Sequence, residues 1–120
     1  MQGILILAHG SREKSTENTL HEVVAMLKAR SPECVIETAY LQFSDVNLEV
    51  GLDKLATQGI KNITVIPYFL FDGVHIREDI PAELAEYRKN NSDIKISMGK
   101  TLGAHHKLAE ILLERVKEAL

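Results

Sequence analysis

The chain has 120 residues, 45% of them apolar, with 14 Lys and Arg against 17 Asp and Glu for a net charge of −3. That length suits one domain over residues 1–120 with a core of its own, and the acidic balance excludes a nucleic-acid partner, which needs a basic face for the phosphates. The single Cys34 excludes an internal disulfide, no Cys/His cluster suggests zinc, and neither a leader-like segment nor a membrane-length apolar run is present, so a cytoplasmic protein without a membrane partner is expected.

The first apolar run, GILILA at 3–8, delivers His9 and is broken by Gly10 and Ser11. It is short and nearly continuous, as a central parallel strand covered on both faces should be. A helix follows over 15–30, where Leu20, Val23, Val24 and Leu27 fall at helical spacing. Ser15 or Thr16 can cap it and Pro32 lies beyond its end. Cys34 reads as a small buried side chain at the start of the next strand, VIETAYLQF at 35–43. A helix over 47–59 aligns Leu48, Leu52 and Leu55 and stops at Gly59.

The third strand, NITVIPYFLF at 62–71, is another continuous apolar run, and it leads through Gly73 to His75. Pro81, with Asp79 just ahead, opens a helix over 79–90. The fourth strand, DIKISMG at 93–99, alternates as an edge strand does. The chain closes with a helix over 104–120 that carries Leu108, Ile111, Leu112 and Val116 on one stripe.

The order βαβαβαβα predicts an α/β three-layer sandwich: a doubly wound, four-stranded parallel sheet with helices on both faces. The common winding places strands one and three side by side where its direction reverses, and ligands bind there, outside the carboxyl ends of the strands. His9 and His75 are therefore expected at the same sheet edge.

Neutral imidazole is both a metal ligand and a general base near neutral pH. Gly10 permits a sharp turn after His9, and Ser11 can offer its hydroxyl and N–H to an anion. Arg12 and Arg77 follow the two histidines closely and can form charge-assisted bonds to carboxylates. The pattern suits an acidic ligand and a metal ion.

The segments AHGSR, YLQFSDVNLEVG, PYFLFDGVHIREDIP and GKTLGA, which follow the four strands, resemble the short-form sirohydrochlorin chelatases along essentially the whole chain. These are class II chelatases that insert cobalt, nickel or ferrous iron into a tetrapyrrole of cobalamin or siroheme biosynthesis without ATP. The resemblance implies that His9 and His75 handle the metal and take up pyrrole protons. It further implies contacts to the ring from Ser11, Arg12, Gln42, Asp45, Gly73 and Arg77. The divalent ion is then a substrate, no organic cofactor is needed, and the short form works as a homodimer.

One segment departs from the family. Where many members read LEFxEP, this chain has Leu41, Gln42, Phe43, Ser44, Asp45 and Val46. Gln42 can hydrogen-bond but can neither take a proton nor lend negative charge to a metal. Asp45 or Glu49 replaces that carboxylate, or the histidines suffice, or activity is reduced or redirected. A non-catalytic metal or tetrapyrrole carrier is therefore the alternative. A phosphate-accepting receiver lacks its acidic cluster here, and HGSR is not a GxSxG nucleophile elbow. His21 reads as a surface residue, His105 and His106 as the opening of the last helix, and Tyr68, Phe69 and Phe71 as core or dimer contacts.

Overall fold

The computed structural model describes residues 1–120 apart from the side chain of His75. Strands β1 (Gln2–Ala8), β2 (Cys34–Tyr40), β3 (Asn62–Pro67) and β4 (Lys95–Met98) alternate with helices α1 (Lys14–Arg30), α2 (Leu48–Ala56), α3 (Ile80–Asn90) and α4 (His106–Ala119). A π-helical turn, His75–Asp79, leads into α3. The strands form one parallel sheet in the order β2-β1-β3-β4, so β1 and β3 are neighbours at the point where the winding reverses, as expected.

Alternation along β1 sends Leu5 and Leu7 to one face and Ile6 and Ala8 to the other. The first face meets α2 through Leu48, Leu52 and Leu55, and α3 through Ile80, Leu84 and Tyr87. The second meets α1 through Leu20 and Val24. Each fully buried leucine contributes roughly 1.5–3 kcal/mol, and Leu52 and Leu55 anchor α2 in this way. Gly51 lets α2 sit close to the sheet, because a Cβ there would lie 2.8 Å from both Ala39 Cβ and Leu5 Cδ1. Asn47 caps α2, its Oδ1 accepting from the Val50 N–H at 2.9 Å. No helix among the described residues is long and apolar enough to cross a membrane.

Several expectations need correction. Strands β2 and β3 end at Tyr40 and Pro67, short of their apolar runs. The chain turns after Tyr40, whose N–H donates to the Val46 carbonyl at 2.8 Å, while the residues after Pro67 become the wall of a cleft. Helix α1 starts after Glu13 without a side-chain cap from Ser15 or Thr16, and only Leu20 and Val24 of its stripe are buried. Cys34 is half-buried rather than enclosed. The largest difference is α4: its apolar stripe exists, yet none of its residues is buried among the described residues.

Candidate active site

The carboxyl end of β1 is tied to the chain leaving β2. The Leu41 N–H donates to the Ala8 carbonyl at 3.0 Å and the Gln42 N–H to the His9 carbonyl at 3.1 Å. This continues the sheet pairing by two residues and holds Gln42 against His9. Gly10 makes the approach possible. Its φ is +91°, and a Cβ there would lie 1.9 Å from the Gln42 carbonyl oxygen. On the other side, the Tyr68 N–H donates to the Leu7 carbonyl at 2.7 Å, carrying the chain past Pro67 along the same sheet edge.

His9 is exposed at this junction. Its ring stands edge-on to Phe69, with centroids 5.4 Å apart and planes at 74°. Gln42 Nε2 lies 3.5 Å from His9 Nδ1, a long contact that orients the imidazole without placing a charge beside it. His9, Gly73 and Ile76 share a cleft of about 460 Å³ whose remaining wall is largely apolar, formed by Leu41, Tyr68, Phe69, Leu70 and Phe71. Gly73 and Ile76 bracket His75, whose own side chain lies outside the described residues. The segment that carries the second histidine therefore does reach the His9 cleft.

Ser11, Arg12, Gln42, Asp45 and Arg77 are not among the residues lining this cleft. Arg12 is exposed and lies over the Phe43 ring, 4.8 Å from its centroid. Ser11 Oγ accepts from the Glu13 N–H at 3.1 Å, so this hydroxyl supports the start of α1 while keeping its own proton to donate. Arg77 is exposed, with its N–H donating to the Gly73 carbonyl at 3.0 Å. Asp45 is exposed on the 41–47 turn and is not among the residues lining the His9 cleft. Among the described residues, no group of three or more His, Cys, Asp or Glu is assembled to hold a metal ion.

Two features escape a reading of the sequence. Phe43 adopts φ +57°, uncommon for a bulky residue, which places its ring under Arg12. Nothing in the letters QFSD signals that backbone. Phe69, expected in the core or at a dimer contact, is the ring against which His9 rests. His105 and His106 do open α4: their rings stack at 4.5 Å, and His105 Nδ1 accepts from the Lys107 N–H. His21 is exposed, as expected, with Nε2 3.5 Å from the Tyr40 hydroxyl.

A second cleft, of about 530 Å³, lies between α2 and α3 and is lined by Glu49, Asp53, Glu83 and Glu86. Asp53 accepts a 2.7 Å bond from the Tyr87 hydroxyl. Burial, followed by this bond, pushes the Tyr87 phenol well above its ordinary range. This cleft carries no histidine among its lining residues.

The CbiX family model matches residues 3–119. The chain belongs to the CbiX/sirohydrochlorin chelatase family. It is 30% identical over 120 residues to a sirohydrochlorin cobaltochelatase of Sulfurisphaera tokodaii, covering 100% of this chain and 95% of that one. It is 31% identical over 118 residues to the chloroplastic sirohydrochlorin ferrochelatase of Arabidopsis thaliana, covering 98% of this chain and 52% of the other. The structure of SirB from Bacillus subtilis with Fe³⁺ superposes with a TM-score of 0.87 at 28% identity, over 98% of this chain and 47% of that one. The chain thus spans nearly all of the Sulfurisphaera tokodaii relative and about half of the two longer ones.

Proposed function

We propose that this chain inserts a divalent metal ion, Co²⁺, Ni²⁺ or Fe²⁺, into sirohydrochlorin or a close derivative, without ATP, as a cytoplasmic homodimer. The observation that carries the proposal is an exposed imidazole, His9, held at the carboxyl end of β1 over a largely apolar cleft at the switch point of the sheet.

Insertion exchanges two pyrrole N–H protons for one dication, so charge at the ring core is conserved and a base must stand nearby. His9 can present a ring nitrogen to the incoming ion or accept a proton, and Gln42 and Phe69 limit its rotation. The apolar wall takes the face of the macrocycle, while Arg12 and Arg77 meet its peripheral carboxylates in charge-assisted bonds. His75 completes the metal-handling pair in this account. A tetrapyrrole is wider than one such cleft, so a second copy supplies the other wall.

A carrier without turnover is the second reading, favoured by Gln42, which cannot replace a carboxylate as a base. The two separate when excess ring and metal are supplied anaerobically to a small amount of protein. The proposal expects many metallated rings per chain, faster than the spontaneous reaction. Formation at no more than the spontaneous rate would refute the proposal, and tight binding of ring or metal without turnover would then favour the carrier.

A further inference from the structure

We infer that Phe43 is a positioning residue: its ring, set on a strained turn, holds the Arg12 guanidinium beside the His9–Gln42 contact, ready for a carboxylate of the macrocycle. This role rests on the preceding reading, in which Arg12 meets such a carboxylate, and adds the residue that keeps Arg12 in place.

Neither the core nor the turn calls for an aromatic ring at this position. The Phe43 side chain is 52% exposed and belongs to neither of the apolar clusters that pack the two faces of the sheet. Its backbone sits at φ +57°, in the left-handed region, where a Cβ crowds the neighbouring carbonyl oxygen. Glycine would adopt this φ readily.

The surroundings hold that backbone from both ends. Before Phe43, the Leu41 and Gln42 N–H groups donate to the Ala8 and His9 carbonyls at 3.0 and 3.1 Å. After it, the Ser44 hydroxyl accepts from the Val46 N–H at 3.1 Å. The Val46 carbonyl accepts from the Tyr40 N–H at 2.8 Å, and Asn47 caps α2. Strain of this kind persists only where the structure over-determines it, and it gathers at ligand sites.

What the strained residue meets is Arg12. The guanidinium carbon stands 4.8 Å from the Phe43 ring centroid, within cation–π range. Among the described residues no carboxylate pairs with Arg12. An acidic neighbour would restrain this long side chain but would also neutralise it. The ring restrains it while leaving both its charge and its N–H donors to a ligand. Both partners lie next to the reacting centre. Arg12 follows His9 by three residues, and Phe43 directly follows Gln42, whose Nε2 is 3.5 Å from His9 Nδ1. Ordering Arg12 before the ligand arrives reduces the rotamer freedom lost on binding.

The test is the dissociation constant for sirohydrochlorin, measured without metal by absorbance titration, over a double-mutant cycle in the full chain. Arg12→Gln should weaken binding about tenfold, as loss of a charge-assisted bond does. Phe43→Leu should weaken it roughly 3- to 5-fold, the scale of an exposed cation–π contact. Added to Arg12→Gln, Phe43→Leu should change binding by less than about twofold, and Phe43→Tyr, which keeps the ring, should restore the wild-type constant. Phe43→Gly should weaken binding as Phe43→Leu does, with a urea midpoint at or above that of wild type, because glycine relieves the positive φ. A lower midpoint in Phe43→Gly would mark Phe43 as a residue of the fold and overturn the positioning role. Wild-type binding by Phe43→Leu, or equal weakening with and without Arg12, also overturns it and leaves the Arg12 contact standing. Wild-type binding by Arg12→Gln overturns the Arg12 contact itself and the role of Phe43 with it.

Discussion

Gly10→Ala tests whether the site depends on the close approach of two loops. Two costs arise at once. The backbone at φ +91° is unfavourable for any residue with a Cβ, about 1–3 kcal/mol. The new Cβ would also stand 1.9 Å from the Gln42 carbonyl oxygen, where contacts below 3.0 Å do not occur, so the 41–42 backbone must retreat by at least about 1 Å. The bond from the Gln42 N–H to the His9 carbonyl then lengthens or breaks, at about 1 kcal/mol more. The expected loss is about 2–4 kcal/mol by urea denaturation, together with roughly 100-fold in insertion rate, the scale of a 1 Å misplacement at a reacting centre. Gly59→Ala separates the two costs, because Gly59 also has positive φ, +83°, but its Cβ would meet nothing within 4 Å. It should lose only the conformational part, about 1 kcal/mol. Equal losses at the two positions would refute the collision argument.

Asn47→Ala removes the cap of α2 and should cost about 1 kcal/mol by urea denaturation, with Asn47→Asp restoring most of it. Tyr87→Phe should cost about 1 kcal/mol near neutral pH through loss of the bond to Asp53. The fold raises the Tyr87 phenol above its ordinary value of 10.0, so the stabilisation is complete below that pH and is lost as pH rises beyond it. The alkaline decline in the denaturation midpoint should therefore be shallower in Tyr87→Phe than in wild type. Gln42→Glu puts a carboxylate next to His9 Nδ1, which favours the imidazolium. The acid limb of its insertion–pH profile should move to higher pH; an unmoved limb would show that this contact does not tune His9.

The sheet order and the placement of His9 were legible in the sequence because they follow from the period of the apolar runs and the right-handed crossovers between them. The run through Leu5, Ile6 and Leu7 could only be a central strand, and its end at His9 set the site. The ends of β2 and β3 were not legible, because Leu41, Phe43, Phe69 and Phe71 look like strand but serve the cleft and the turns around it. The turn that seats Phe43 beneath Arg12 depends on tertiary pairing near Gly10, which no local pattern encodes. The stripe of α4 was legible as helix, but a stripe records only that a face seeks cover, and among the described residues none on this helix is buried.

The most direct measurement is the initial rate of Co²⁺ insertion into sirohydrochlorin, followed anaerobically by absorbance, for wild type and His9→Ala at equal concentration. The account predicts a wild-type rate well above the spontaneous one and a fall of at least 100-fold toward it in the variant. A variant that inserts metal as fast as wild type would contradict the assignment of His9 as the group that handles metal or proton.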